Sequence, residues 1–302
     1  MKKVFIYFGL LLLFIVLLIS VSIINISKTP LTKSIPVSSP SSKTGIENIA
    51  VIVMENKSRG EILNNPEAPY INSLIKKYSF AANYYAVTHP SLPNYLAILG
   101  GDTFGVSSDC SSCFISAKNM TDQLDASHKT WKAYMESMPS PCFIGSTNIY
   151  AQKHNPFIYF DDIRNNPKRC KNIVPLSFLG NDLQSANTTP DFIWITPNIC
   201  NDMHSCPVSA GDSWLSKEIP LLLNSPAFKN NGSFIVITWD EGTGNSNRVA
   251  TILVGNAIKN GYSSDTLYNH YSLLKTIEKV WRINPLSFNV TNVKSMQEFF
   301  KD

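Results

Sequence analysis

The sequence predicts an α/β domain: a mostly parallel central sheet with helices on both faces. Three observations carry the α/β reading. Four short runs, NIAVIVM (Asn48–Met54), FIWIT (Phe192–Thr196), FIVITW (Phe234–Trp239) and VATILVG (Val249–Gly255), are nearly continuous in apolar, β-branched residues. That is the composition of strands covered on both faces. Helical patterns lie between the runs, and strands alternating with helices build parallel sheets through crossovers. The chain has 302 residues, 44% hydrophobic and 16% charged, enough for one large domain or two small ones.

At the N-terminus, Lys2 and Lys3 precede the uncharged stretch Val4–Ile24. As a helix it would span about 30 Å, the thickness of a bilayer core. Cleaved signal peptides have shorter apolar regions, and Ser20 and Ser22 make a poor cleavage site. Residues 1–26 are therefore expected to be a signal anchor, with a cleaved signal peptide as the alternative. Either way the rest of the chain is exported, and stays membrane-anchored at the cell surface or is secreted. Residues 27–45 are rich in Ser, Pro and Lys without apolar period, and read as a solvated linker. The folded domain is expected over residues 46–302, with no internal repeat.

Ala68–Tyr78 has apolar residues at helical spacing. Asp212–Asn224 is a second helix with Asp212 as its expected N-cap, and Asn269–Trp281 is a third amphipathic run. The six cysteines, all in the exported part, permit 15 pairings. Sequence does not choose among them; the local pairs Cys110–Cys113 and Cys200–Cys206, leaving Cys142–Cys170, are the expectation, and structural disulfides suit an exported chain. The formal net charge is +4. No dense basic stripe accompanies it, so a nucleic-acid partner is not expected. The most basic stretch, Arg164–Lys171, reads as a solvated loop.

In open α/β sheets, ligands bind beyond the carboxyl ends of the strands. The first strand runs into Glu55 and Asn56, the late strand into Asp240 and Glu241, and FIWIT into PNICNDMHSC. The four residues of the first two pairs are hard oxygen donors, suited to a divalent cation. A turn or helix cap is the competing reading of either pair alone. In THPSLPNYLAILGG (Thr88–Gly101), Ser91 stands between Pro90 and Pro93 where a helix begins. It is expected as the N-cap, with Pro93 just inside. A helix N-terminus favours phosphate; Asn94 could donate its amide to a phosphate oxygen. Thr88 is the competing hydroxyl, and capping alone is the competing role for Ser91.

VIVMENKS, THPSLPNYLAILGG, PNICNDMHSC, GDSWL, TWDEG and NHYSLLKTIE occur in this order. Together they resemble the bacterial phosphoesterase family of acid phosphatases and phospholipases C, within the alkaline-phosphatase-like superfamily. The resemblance extends from about Asn48 to Trp281. It implies an alkaline-phosphatase-like version of the α/β fold. It implies that Glu55, Asn56, Asp240 and Glu241 bind a divalent metal of unnamed identity. It implies that Ser91 is the nucleophile and faces the metal. It implies that His204 and His270, with His89 third, contact phosphate or protonate the leaving group. Asp202 and Asn94 would support substrate binding. His128 and His154 lie outside these motifs and stay unassigned. Relatives often carry a His after the acidic pair, where this chain reads GTGNSNRVAT; Arg248 near that point is expected to bind phosphate or to cover the strand start. The function implied is metal-dependent hydrolysis of phosphate esters through a serine, of the acid-phosphatase type. A phospholipase C-type phosphodiesterase and a non-catalytic surface binding protein are the alternatives.

Overall fold

The computed structural model describes residues 47–229 and 232–301. The expected anchor (1–26), the linker (27–45) and Ile46 lie outside them. Among the described residues no helix is long and apolar enough to cross a membrane.

The strands in chain order are β1 (Asn48–Met54), β2 (Ser79–Ala81), β3 (Tyr84–Tyr85), β4 (Trp131–Met135), β5 (Ile173–Pro175), β6 (Phe192–Thr196), β7 (Ser233–Trp239), β8 (Arg248–Val249), β9 (Thr251–Val254), β10 (Tyr262–Ser264) and β11 (Tyr268–Asn269). The main sheet has eight strands in the order β10-β2-β9-β7-β1-β6-β4-β5, and a small second sheet has the order β11-β3-β8. β1 is central. It pairs in parallel with β6 (Ile52 opposite Ile195) and with β7 (Met54 opposite Trp239). Every residue of β1, β6 and β7 is buried, as continuous apolar runs require.

All four runs read as strands form strands, with one change. The run Val249–Gly255 divides at Ala250: Arg248–Val249 joins the small sheet, while Thr251–Val254 lies antiparallel against β7. β4 and β5 carry no comparable apolar run; Lys132 interrupts β4, its ammonium reaching Asp182 at 2.8 Å.

Among the described residues, four helices have nine or more residues: α1 (Pro69–Lys77), α2 (Ser91–Gly100), α3 (Val208–Leu223) and α4 (His270–Val280). α2 is buried on every side, as a helix apolar all round must be. It packs against α4 and stops at Gly101, whose φ of 71° is left-handed. A Cβ there would also lie 2.8 Å from Val290, so the LGG ending serves both backbone and packing. At the start of α4, Asn269 caps by accepting from the Ser272 N–H at 3.1 Å.

Asp212 does not cap its own helix, which begins earlier at Val208 after Pro207. Its carboxylate instead accepts from the N–H groups of Ile71 (2.8 Å) and Tyr70 (3.2 Å) at the start of α1. Asp is suited to orphan helical donors wherever they lie, and tertiary packing brought those of a neighbour. The basic stretch Arg164–Lys171 also departs from the expected solvated loop. It forms a short helical turn, Pro167–Cys170, and Arg169 is paired with Asp122, Asp125 and Asp162. The expected disulfides all form: Cys110–Cys113, Cys142–Cys170 and Cys200–Cys206. They suit an oxidising, extracytoplasmic compartment.

Candidate active site

The parallel register of β6, β1 and β7 brings their carboxyl ends together. Backbone bonds then fasten the residues just beyond those ends. The Glu55 N–H donates to the Asp202 carbonyl at 2.8 Å, and the Asp240 N–H to the Met54 carbonyl at 2.9 Å. Asn56 turns the chain with a left-handed φ of 49°, which Asn tolerates, and its N–H donates to Asp240 Oδ1 at 3.0 Å. Glu55, Asp240, Glu241 and Asp202 are all buried.

Ser91 is not the N-cap. Pro90 holds that position, and Ser91 is the first helical residue of α2. Its Oγ donates to Glu55 Oε2 at 3.1 Å and lies 3.4 Å from Glu241 Oε1. Asn94, one turn on, is fully buried and has no amide to spare for phosphate. Its oxygen accepts from the N–H groups of Val87 and Thr88; its nitrogen donates to the carbonyls of Thr88 and Pro90. Asn94 is therefore the clamp of the turn that presents Ser91. His89 Nδ1 pairs with Glu241 Oε2 while much of its ring stays exposed. The Thr88 hydroxyl turns back to the His89 carbonyl at 3.1 Å.

His270 also departs from expectation. It is fully buried beneath the acidic pair, with Nε2 at 2.6 Å from the Asp240 carbonyl and Nδ1 at 3.1 Å from the Tyr84 hydroxyl. A ring nitrogen facing a carbonyl must carry the proton. Nε2–H thus donates to Asp240, and Nδ1 accepts from Tyr84. Burial pushes the His270 pKa down to about 4, so the ring is neutral. Both ring nitrogens are thus engaged, and His270 holds the acidic turn. Arg248 covers the strand start: its guanidinium donates to the Ala82 carbonyl.

The residue that sequence reasoning missed is His154. Nothing in AQKHNPF marks it, since its partners come from three distant segments. It is buried, with Nε2 3.1 Å from Glu55 Oε1 and Nδ1 3.1 Å from Asp202 Oδ2. Burial, reinforced by the neighbouring Lys153, pushes its pKa down to about 3. These contacts are consequently not ion pairs. Its ring stacks on Tyr95 of α2 and lies 5.6 Å from the ring of His204. The His204 N–H donates to Asp202 Oδ1 at 2.7 Å, and its ring is exposed.

Burial, aided by Asp240 and then Asp202, holds the Glu55 carboxyl well above the usual range. Burial and Glu241 do the same for Asp240, and burial raises Asp202 to about 7. Among the described residues, Glu55 Oε1, Asp240 Oδ2, Asp202 Oδ2 and His154 Nε2 are buried without a hydrogen-bond partner. His154 Nε2 and Glu55 Oε1, 3.1 Å apart, are stable only with a proton or cation shared between them. The donor set fits a divalent cation. Glu55, His154 and His204 each bring one donor atom within 4.8 Å of the others. With its proton on Nδ1, which lies 3.1 Å from Asp202 Oδ2, His154 would present the Nε2 lone pair, the tautomer usual in metal sites. Ser91 Oγ lies against the other Glu55 oxygen, Oε2, and near Glu241 Oε1.

A profile of the Phosphoesterase family matches residues 60–284. The chain is 32% identical over 263 residues to the phosphatidylinositol-3-phosphatase of Mycobacterium tuberculosis, covering 84% of this chain and 83% of that protein. It is 36% identical over 218 residues to an acid phosphatase of Aspergillus fumigatus, covering 68% of this chain; it spans about half that protein's length. Among solved structures, an alkaline phosphatase superfamily protein from Vibrio parahaemolyticus superposes with a TM-score of 0.56 at 12% identity. That match covers 84% of this chain and 72% of the other, and shows a shared fold.

Proposed function

Because the chain belongs to the phosphoesterase family and is a hydrolase of phosphoric ester bonds, we propose that it is a phosphomonoesterase with Ser91 as nucleophile. The observation that carries this reading is the Ser91 hydroxyl at the mouth of α2, donating to buried Glu55 and close to Glu241. When Ser91 Oγ attacks phosphorus, its proton has a carboxylate acceptor already in place. The Oγ–P bond forms, the P–O ester bond breaks, and the leaving oxygen takes a proton. Solvent at the open rim, where His204 is exposed, supplies that proton. Water then hydrolyses the phosphoserine and releases phosphate.

Glu55, Asn56, Asp240 and Glu241, with Ser91, would hold a divalent cation, and His154 and His204 extend the donor set from Glu55. Such a cation neutralises phosphoryl charge and lowers the pKa of a coordinated hydroxyl. His89 braces Glu241, Asp202 fixes the His204 loop, and Asn94 and His270 hold the backbone. The substrate is a phosphate ester. The phosphodiesterase reading and the non-catalytic reading have no observation of their own in their favour. Export is supported by the three disulfides; attachment through residues 1–26 rests on the sequence alone.

Ser91→Ala is expected to abolish hydrolysis of an aryl monophosphate while the protein stays folded. Acid quenching of the wild type during turnover is expected to trap a phosphorylated peptide containing Ser91, seen by mass spectrometry. Wild-type turnover by Ser91→Ala, or full activity after exhaustive chelation, would sink the reading.

A further inference from the structure

Two charged residues at the rim take no part in the proposed mechanism. Lys153 precedes His154, and its Nζ donates to Asp109 Oδ2 at 2.7 Å. The other oxygen of the same carboxylate, Oδ1, accepts from the Leu92 N–H at 3.0 Å. Leu92 directly follows Ser91 in the first turn of the ten-residue α2. One carboxylate is thus gripped by an ammonium and by the backbone N–H next to the nucleophile. An ammonium and a helix N-terminal N–H are also the donors that a phosphoryl oxygen takes.

The pair belongs to the site electrostatically. The Lys153 charge acts on Glu55 and Asp240, and Asp109 acts on Glu241 and His204. Lys57 also acts on Asp202, but its Nζ is engaged by the carbonyls of Asn56 and Met203. Lys153 differs in having a partner that can be replaced. Its side chain is 23% exposed and that of Asp109 28%, so an anion in solution can reach the pair. Across the same site, Glu55 Oε1 and Asp240 Oδ2 are buried without hydrogen-bond partners.

We propose that Lys153 Nζ and the Leu92 N–H form the seat for a terminal phosphoryl oxygen, and that the Asp109 carboxylate occupies this seat until substrate displaces it. The inference rests on the phosphomonoesterase reading and sharpens it. A monoester dianion brings a second negative charge that a diester lacks, and this seat rewards that charge. Lys153 is then a specificity-determining residue for monoesters.

The test uses the protein with its divalent cation present. Inorganic phosphate is titrated by calorimetry into wild type, Lys153→Met, Lys153→Arg and Asp109→Ala, and hydrolysis of an aryl monophosphate and a bis-aryl diester is compared. Lys153→Met is expected to weaken phosphate binding and monoester kcat/KM by about 10- to 100-fold, the scale of one charge-assisted hydrogen bond. Diester turnover should change little, and Lys153→Arg should restore phosphate binding. Asp109→Ala is expected to tighten phosphate, because the resident anion is gone. If both Lys153→Met and Asp109→Ala weaken phosphate alike, the pair only props its loops and the proposal is overturned. Equal loss of monoester and diester turnover in Lys153→Met overturns it too, as does a wild type that binds no phosphate. A wild type that binds phosphate yet hydrolyses neither ester would instead refute the phosphomonoesterase reading, and calorimetry alone would still decide the seat.

Discussion

His154 Nε2 and Glu55 Oε1 stand 3.1 Å apart in the interior, and neither forms a hydrogen bond. A neutral imidazole and a carboxylate that meet this way fit the proposed reading, in which they are two ligands of one ion. His154→Gln is therefore expected to lower bound divalent metal, measured by elemental mass spectrometry, and to reduce kcat/KM by about 10- to 100-fold. Unchanged metal content and activity would make His154 a packing residue that only stacks on Tyr95.

His270 titrates at about 4 in the fold, below its ordinary value of 6.5, because burial disfavours the imidazolium. The unfolded chain takes up this proton below pH 6.5 and the folded chain does not. The stability involved is thus complete above pH 6.5 and is lost as pH falls towards 4, by about 3 kcal/mol at most. His270→Gln can still donate to the Asp240 carbonyl but cannot titrate. Its denaturant stability is expected to fall less steeply over that window than wild type. Identical slopes would show that His270 accepts the proton in the folded state.

Gly211 of α3 lies against the loop that carries Asp202 and His204. A Cβ there would come within 2.3 Å of Met203 Cε and 2.9 Å of the Asn201 carbonyl. The methionine tip can move, but the backbone oxygen moves only with its loop. Gly211→Ala is expected to cost about 1–3 kcal/mol in stability and to reduce kcat through displacement of His204. Wild-type kcat with wild-type melting would mean that the loop is free to shift.

The disulfides differ in the length of chain they close. Cys142–Cys170 spans 28 residues, Cys200–Cys206 spans 6 and Cys110–Cys113 spans 3. On loop-closure entropy, removing Cys142–Cys170 by double Ser substitution is expected to cost about 3–4 kcal/mol, and the other two less. Thermal melting of the three double variants checks the order. An equal effect from all three would point to local strain or packing in place of chain entropy.

The buried strands β1, β6 and β7 were legible because a strand covered on both faces must be apolar throughout. The residues at their carboxyl ends were legible for a related reason: polar groups that end such runs stand out, and topology brings the ends together. Ser91 was legible because prolines and a following apolar run mark a helix start. Its cap position was misread by one residue, since Pro90 can take the cap and Ser91 the first turn. Asp212 was misread for a different cause, as a side chain finds donors in space and not along the chain.

What the sequence determined by itself was the α/β fold, the family motifs and the placement of Glu55, Asp240 and Glu241 beyond the strand ends, because local pattern and adjacency to strands encode them. What only the tertiary structure decided was the part played by each imidazole and each amide. His154 meets Glu55, His270 retreats beneath Asp240, Asn94 clamps the turn, and Lys153 meets the Asp109 carboxylate beside Leu92. Each of these roles is set by a partner far away in the chain and by burial, which decides whether a polar group faces substrate or a backbone carbonyl.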